Sequence, residues 1–199
     1  VCTHSSLRII EAEKLRQLPN LVTAVFHDNQ ILSEVEPKAF ASIASLKTID
    51  LRRCALATGL SARSLESIPQ LQQLYLGGNP LERLPATLST CRDLRVLDIS
   101  GSPNLAAPRF SELPNLRHLR KLEVLILDNN GLTELPVDRL PLGIGFPLRV
   151  ISCANNRLTT LPEEVLEASR TENLSLNLAG NPCWTRAQEG VDAYKRHRA

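Results

Sequence analysis

Apolar and polar residues follow one fixed frame along most of this chain. The frame is clearest in LQQLYLGGNPLERLP, where Leu71, Leu74, Leu76, Asn79 and Leu81 take the spacing LxxLxLxxNxL and Leu84 and Pro85 follow. Side chains of an extended segment alternate between two faces, so Leu74 and Leu76 point to one side while Gln73 and Tyr75 point to the other. The spacing predicts a short strand and then a sharp inward turn. One such strand cannot bury its own apolar face in water, so the pattern should recur and stack on itself.

It occurs seven times in all. The template is met by Leu21, Ala24, Phe26, Asn29 and Ile31, and then by Leu46, Ile49, Leu51, Cys54 and Leu56, with cysteine in the asparagine position. After the stretch above come Leu94, Leu97 and Ile99, whose turn reads SGSPNL, so that Asn104 and Leu105 arrive late and a bulge around Pro103 is expected. Leu122, Leu125, Leu127, Asn130 and Leu132 follow, a register preferred to one starting at Leu119 because only it brings Asn130 and Leu132 into frame. Leu148, Ile151, Cys153, Asn156 and Leu158 make the sixth copy, and Asn173, Leu176, Leu178 and Asn181 a weaker seventh. The starts at 21, 46, 71, 94, 122, 148 and 173 lie 23 to 28 residues apart.

That period and template resemble the leucine-rich repeat family over nearly the whole chain. The resemblance implies an α/β fold, a curved horseshoe solenoid with a parallel β-sheet on the concave face and short helices or loops on the convex face. Three copies carry a second signature, LERLPATL, LTELP and LTTLPEEV, which resembles the cytoplasmic LPxxh scaffold or adaptor class. VEPKAF is more similar to the extracellular animal class, so the cytoplasm is the expectation and an extracellular site the alternative. The expected organisation is a partial repeat over 1–20, a solenoid over 21–183 and a capping helix over 184–199, with Trp184 and Tyr194 as its aromatics. An asparagine amide both donates and accepts, so Asn29, Asn79, Asn130, Asn156 and Asn181 should form an internal ladder that satisfies backbone groups of adjacent coils. Cys54 should be its softer rung. SARSLESI (61–68) and PEEVLEAS (162–169) read as short outer helices, and LPLGIGFP (140–147) as an irregular loop.

Composition agrees with a leucine-filled interior, since aromatic residues make up 4% of 199 and there is one tryptophan. Lys plus Arg number 23 against 21 Asp plus Glu, a net charge of +2, which is not the balance selected by nucleic acid. No apolar run is long enough to span a membrane and no signal-peptide pattern is present. The chain opens on Val1 and holds no methionine, as a fragment or a processed chain would. Five cysteines without a CxxC pair argue against a disulfide framework or zinc site and for packing thiols in a reducing compartment.

Candidate chemistry is sparse. No phosphate-cradling, zinc-protease or nucleophile-elbow motif occurs, so neither an enzyme nor a cofactor is expected. His27 beside Asp28 reads as an ordinary surface histidine, Cys2 with His4 lacks a second ligand pair, Asn173-Leu-Ser175 reads as a chance glycosylation match, and Lys195 to Arg198 reads as a solvated basic end. No metal is expected.

Function should lie on the outward strand positions. Val96, Val124 and Val150 share one position in consecutive strands with Ile126 beside them, an apolar strip rimmed by Arg95, Asp98, Glu123, Asp128 and Arg149 and continued by Ser152. Lys47, Arg52 and Arg53 form a small basic patch, and Tyr75 lies between the two regions as the best hot-spot candidate. β-Branched residues also suit strands without any partner. The expected function is a non-catalytic protein-interaction module whose partner is another protein or peptide. The alternatives are a recognition or regulatory segment of a larger enzyme, such as a ubiquitin ligase or kinase, and a structural subunit of a large cytoskeletal or ribonucleoprotein assembly.

Overall fold

The computed structural model describes residues 1–57, 60, 63–66, 68–102, 115–171 and 174–183. In chain order the elements are β1 (Ile9–Ile10), α1 (Ala12–Arg16), β2 (Thr23–Val25), β3 (Glu34–Val35), β4 (Thr48–Asp50), β5 (Gln73–Tyr75), β6 (Val96–Asp98), β7 (Val124–Ile126), β8 (Val150–Ser152), α2 (Glu163–Thr171) and β9 (Ser175–Asn177). The 184–199 cap, the Pro103 bulge with Asn104 and Leu105, and Asn173 lie outside the described residues.

Seven strands form one parallel sheet in the order β2-β4-β5-β6-β7-β8-β9, which is their order along the chain, with β3 set aside to pair with β1. The register never slips: Gln73, Val96, Val124, Val150 and Ser175 are successive partners, as are Tyr75, Asp98, Ile126, Ser152 and Asn177. A one-residue shift would turn every leucine outward, so burial of one face fixes the pairing. The middle residues Ile49, Leu74, Leu97, Leu125 and Ile151 are fully buried, as are Leu51, Leu76, Ile99 and Leu127 two positions on.

The turn after each strand is built from two columns. The first takes a left-handed backbone, with φ between +50° and +73° at His4, Asp28, Arg53, Gly78, Gly101, Asn129, Asn155 and Gly180. Glycine, asparagine and aspartate enter that region readily, whereas arginine pays for it. The second column is the rung. Asn79 donates from Nδ2 to the carbonyls of Leu51 at 2.8 Å and Leu76 at 2.7 Å, and its Oδ1 accepts from the Leu56 amide at 3.2 Å. Asn130 bonds Ile99, Leu127 and Ser102 in the same way, and Asn181 bonds Cys153, Leu178 and Leu158. Asn29 reaches back to the Cys2 carbonyl and the Ser5 amide. Ser5 and Ser102 therefore occupy the same column, and the Cys2 amide, bonded to the Val25 carbonyl at 2.8 Å, extends the coil pattern to the start of the chain.

Cys54 fills its rung with two long contacts, Sγ to the Phe26 carbonyl at 3.4 Å and to the Arg52 carbonyl at 3.6 Å. A thiol is a weak donor and acceptor beside an amide. Cys54→Asn should therefore raise the unfolding free energy by about 1 kcal/mol. An unchanged or lowered urea midpoint would show that this coil has relaxed around sulfur. The five cysteines are free thiols, three of them buried. Burial pushes the Cys91 and Cys153 thiols up to about 12, so they pack as apolar groups and do not act as nucleophiles.

The outer surface varies more than the sheet. α2 forms where PEEVLEAS predicts it. In SARSLESI, residues 63–66 form turns in place of the expected helix. The Ser64 hydroxyl donates to the Val35 carbonyl at 3.0 Å, and Leu60 bridges Val35 in parallel, which draws this segment into extended structure. β1 and β3 pair in parallel as a small second sheet, and the Glu36 carboxylate accepts from the first amide of α1 at 2.7 Å.

Candidate protein-binding face

The outward residues of β4 to β8 make a continuous surface because parallel pairing sets them side by side about 4.8 Å apart. Val96, Val124 and Val150 are consecutive Cα partners, and Ile126 lies between Asp98 and Ser152 in the neighbouring row. All four apolar side chains are half-buried. Arg95 and Glu123 form an ion pair across the edge of this strip. Asp128 is turned inward, accepting from the Ser152 hydroxyl and the Ala154 amide, both at 2.7 Å, and Arg149 is exposed at the other end.

The amino-terminal part differs from its expectation as a basic patch. Arg52 grips Asp50 through two bonds, Nε to Oδ1 at 3.0 Å and Nη2 to Oδ2 at 2.6 Å. Arg53 grips Asp28 in the same bidentate way, at 2.5 and 2.7 Å. Both guanidinium charges are thus neutralised within the protein, and of the three expected cations Lys47 alone is exposed without a partner among the described residues. Arg52 also lies 5.1 Å from the centre of the Tyr75 ring, so the half-buried Tyr75 is braced from one side. Asp98 is 6% exposed and accepts from the Ser100 amide at 2.9 Å. Gly77 permits this closure, since a Cβ there would meet Ser100 Oγ at 2.6 Å.

Electrostatics follow from these contacts. Hydrogen bonds from Arg53 and His27 hold the Asp28 carboxyl well below the usual carboxylate range. Burial alone would raise Asp50, but the side-chain and backbone bonds from Arg52 together outweigh it and leave the group lowered. A carboxyl depressed in the folded state contributes stability above its unfolded pKa, near 3.9, and loses it as pH falls below that value. The gap in urea midpoint between wild type and Asp28→Asn should therefore be widest at pH 7 and narrow towards pH 3. Parallel profiles across that range would refute a net contribution from the pair.

His27 Nδ1 lies 2.6 Å from Asp28 Oδ2, on the flank of this arrangement. Among the described residues no group of three His, Cys, Asp or Glu side chains is placed to hold a metal ion. No helix among them is long and apolar enough to cross a membrane.

Comparison with known proteins agrees with the architecture. Residues 19–81 match the family model described as leucine rich repeat. The chain is 31% identical over 192 residues to the transforming growth factor beta activator LRRC32 of Mus musculus, covering 83% of this chain and 28% of that protein. It is 25% identical over 171 residues to tubulin-specific chaperone E of Rattus norvegicus, covering 83% of this chain and 32% of that one. The chain thus spans about a third or less of these relatives. Among solved structures, the functional domain of InlJ from Listeria monocytogenes superposes with a TM-score of 0.64 at 18% identity, over 92% of this chain and 34% of that one. Seven strands in unbroken register, asparagine rungs and these matches together make the chain a leucine-rich repeat protein.

Proposed function

We propose that this chain is a non-catalytic protein-binding module, an adaptor or scaffold that holds another protein or peptide on its concave face between Tyr75 and Ser152. The observation that carries this is the strip of Val96, Val124, Ile126 and Val150, half-buried on an open sheet and edged by the Arg95–Glu123 pair. Apolar surface with a polar rim is the anatomy of a protein interface. Tyr75 supplies the aromatic anchor, already rigidified by Arg52 so that less side-chain freedom is lost on contact. The names of the two relatives, an activator of a growth factor and a chaperone for tubulin, both describe action on other proteins and support the same class. Buried free thiols favour a cytoplasmic site.

Val124→Glu places a charge at the centre of the strip and should weaken partner binding by at least about tenfold, while Tyr75→Ala should weaken it by about 2 kcal/mol. Surface plasmon resonance against a partner identified by affinity capture measures both, with Ile144→Asp on the outer loop as the control. Full affinity in Val124→Glu with an unchanged circular dichroism spectrum would rule out the concave strip.

A further inference from the structure

The outer side carries a second candidate site. Return segments of two consecutive coils, a short helical turn over Ala86–Thr90 and another over Leu116–His118, flank a shallow cavity of about 640 Å³. Its lining includes Arg92, Arg120, Lys121 and His118, against the single carboxylate of Asp93. Lys121 Nζ is 2.6 Å from Asp93, so those two charges cancel. The Thr90 hydroxyl is likewise committed, donating to the Thr87 carbonyl at 2.7 Å.

Arg92 and Arg120 remain. Both are exposed, and among the described residues neither has an ion-pair partner. The Arg120 guanidinium carbon lies 4.8 Å from the centre of the Phe146 ring, a cation–π contact that holds the side chain without neutralising its charge. His118 adds an exposed ring nitrogen. The cavity therefore holds two positive charges in excess, as much as the whole chain, whose net charge is +2. This is a local property: another groove on the outer side, of about 670 Å³, is lined by Asp138, Glu164 and Glu167 against the single cation of Arg117.

We infer that this cavity binds a phosphate monoester dianion, held by the forks of Arg92 and Arg120 with His118 as a third donor. Guanidinium groups pair with planar or tetrahedral oxyanions through parallel N–H···O bonds. A dianion matches the two uncompensated charges, whereas one carboxylate would neutralise half of them. Two forks projecting from separate coils also suit an anion with three terminal oxygens better than one with two.

The test is a ¹H–¹⁵N titration of the full chain at constant ionic strength with three probes: acetyl-Gly-phosphoserine-Gly-amide, the matching glutamate tripeptide and inorganic phosphate. Saturable shifts confined to residues 89–93 and 116–121 are expected, with the phosphoserine peptide about tenfold or more tighter than the glutamate peptide. Arg92→Glu should abolish saturation, and Arg92→Lys, which keeps the charge and loses the fork, should weaken binding by a smaller factor. Tighter binding of the phosphopeptide than of inorganic phosphate assigns the site to a phosphorylated segment, and equal binding assigns it to the free anion. Linear, unsaturated shifts, equal affinity for the glutamate peptide, or an Arg92→Glu protein that is folded and still binds would each overturn the proposal.

Discussion

Asn156→Ala should lower the unfolding free energy by about 3–5 kcal/mol, more than a typical point substitution. Asn156 Nδ2 donates to the carbonyls of Leu127 at 2.9 Å and Cys153 at 2.8 Å, and Oδ1 accepts from the amides of Asn130 at 2.9 Å and Leu132 at 3.0 Å. Truncation leaves the buried amides of Asn130 and Leu132 without a partner, while the Leu127 and Cys153 carbonyls each lose one bond and keep those from Asn130 and Asn181. Each unsatisfied amide costs about 1–3 kcal/mol, and the two lost carbonyl bonds bring the sum into the stated range. The loss also spreads, because Asn130 is itself a rung and its backbone amide donates to Asn156 Oδ1. Guanidinium unfolding followed by circular dichroism measures the change. A loss below about 1 kcal/mol would mean that the coils hold together by apolar packing alone and that the ladder is incidental.

Leu125→Ala is the second large effect, at about 3 kcal/mol. Leu125 is fully buried in β7, with Leu97 and Ile151 as its strand neighbours on either side. Packed coils on both sides limit collapse into the space, so the cavity penalty adds to the lost transfer energy. Leu176, the matching residue of β9, is half-buried and, among the described residues, has a neighbouring strand on one side only. Leu176→Ala should cost about 1 kcal/mol, since stability in a stacked array is a sum over nearest-neighbour interfaces. Equal losses at the two sites would contradict that account.

The sheet was legible in the sequence because its cause is local and repeated. Leucine at fixed offsets with asparagine closing the turn leaves one economical way to bury the apolar face, and the strands and register follow from it. Contacts between long side chains were not legible. Lys47, Arg52 and Arg53 look alike in a sequence, yet Arg52 turns back along its own strand to Asp50 while Arg53 crosses a coil to Asp28. Which carboxylate a guanidinium selects depends on rotamer and on the left-handed backbone at Arg53. The segment 63–66 departs from its expected helix for a related reason: apolar spacing favours a helix, but the bridge from Leu60 to Val35 in the preceding coil outweighs local preference. The cavity beneath Arg92 and Arg120 was equally hidden, because residues 28 positions apart become neighbours only when coils stack.

The unbroken register of β5 to β8 also sets a length scale for whatever lies across it. Four strands at about 4.8 Å spacing span roughly 14 Å. An α-helix laid across the strands presents one face every turn, about 5.4 Å, so it falls out of step with the rungs by about 0.6 Å at each strand. Over the three steps from Tyr75 to Ser152 the drift stays below about 2 Å, within the reach of side-chain adjustment. Beyond that, knobs on the helix would ride over strands where they had fitted between them. The concave face thus behaves as a vernier, commensurate with a helical partner for about three turns and no further.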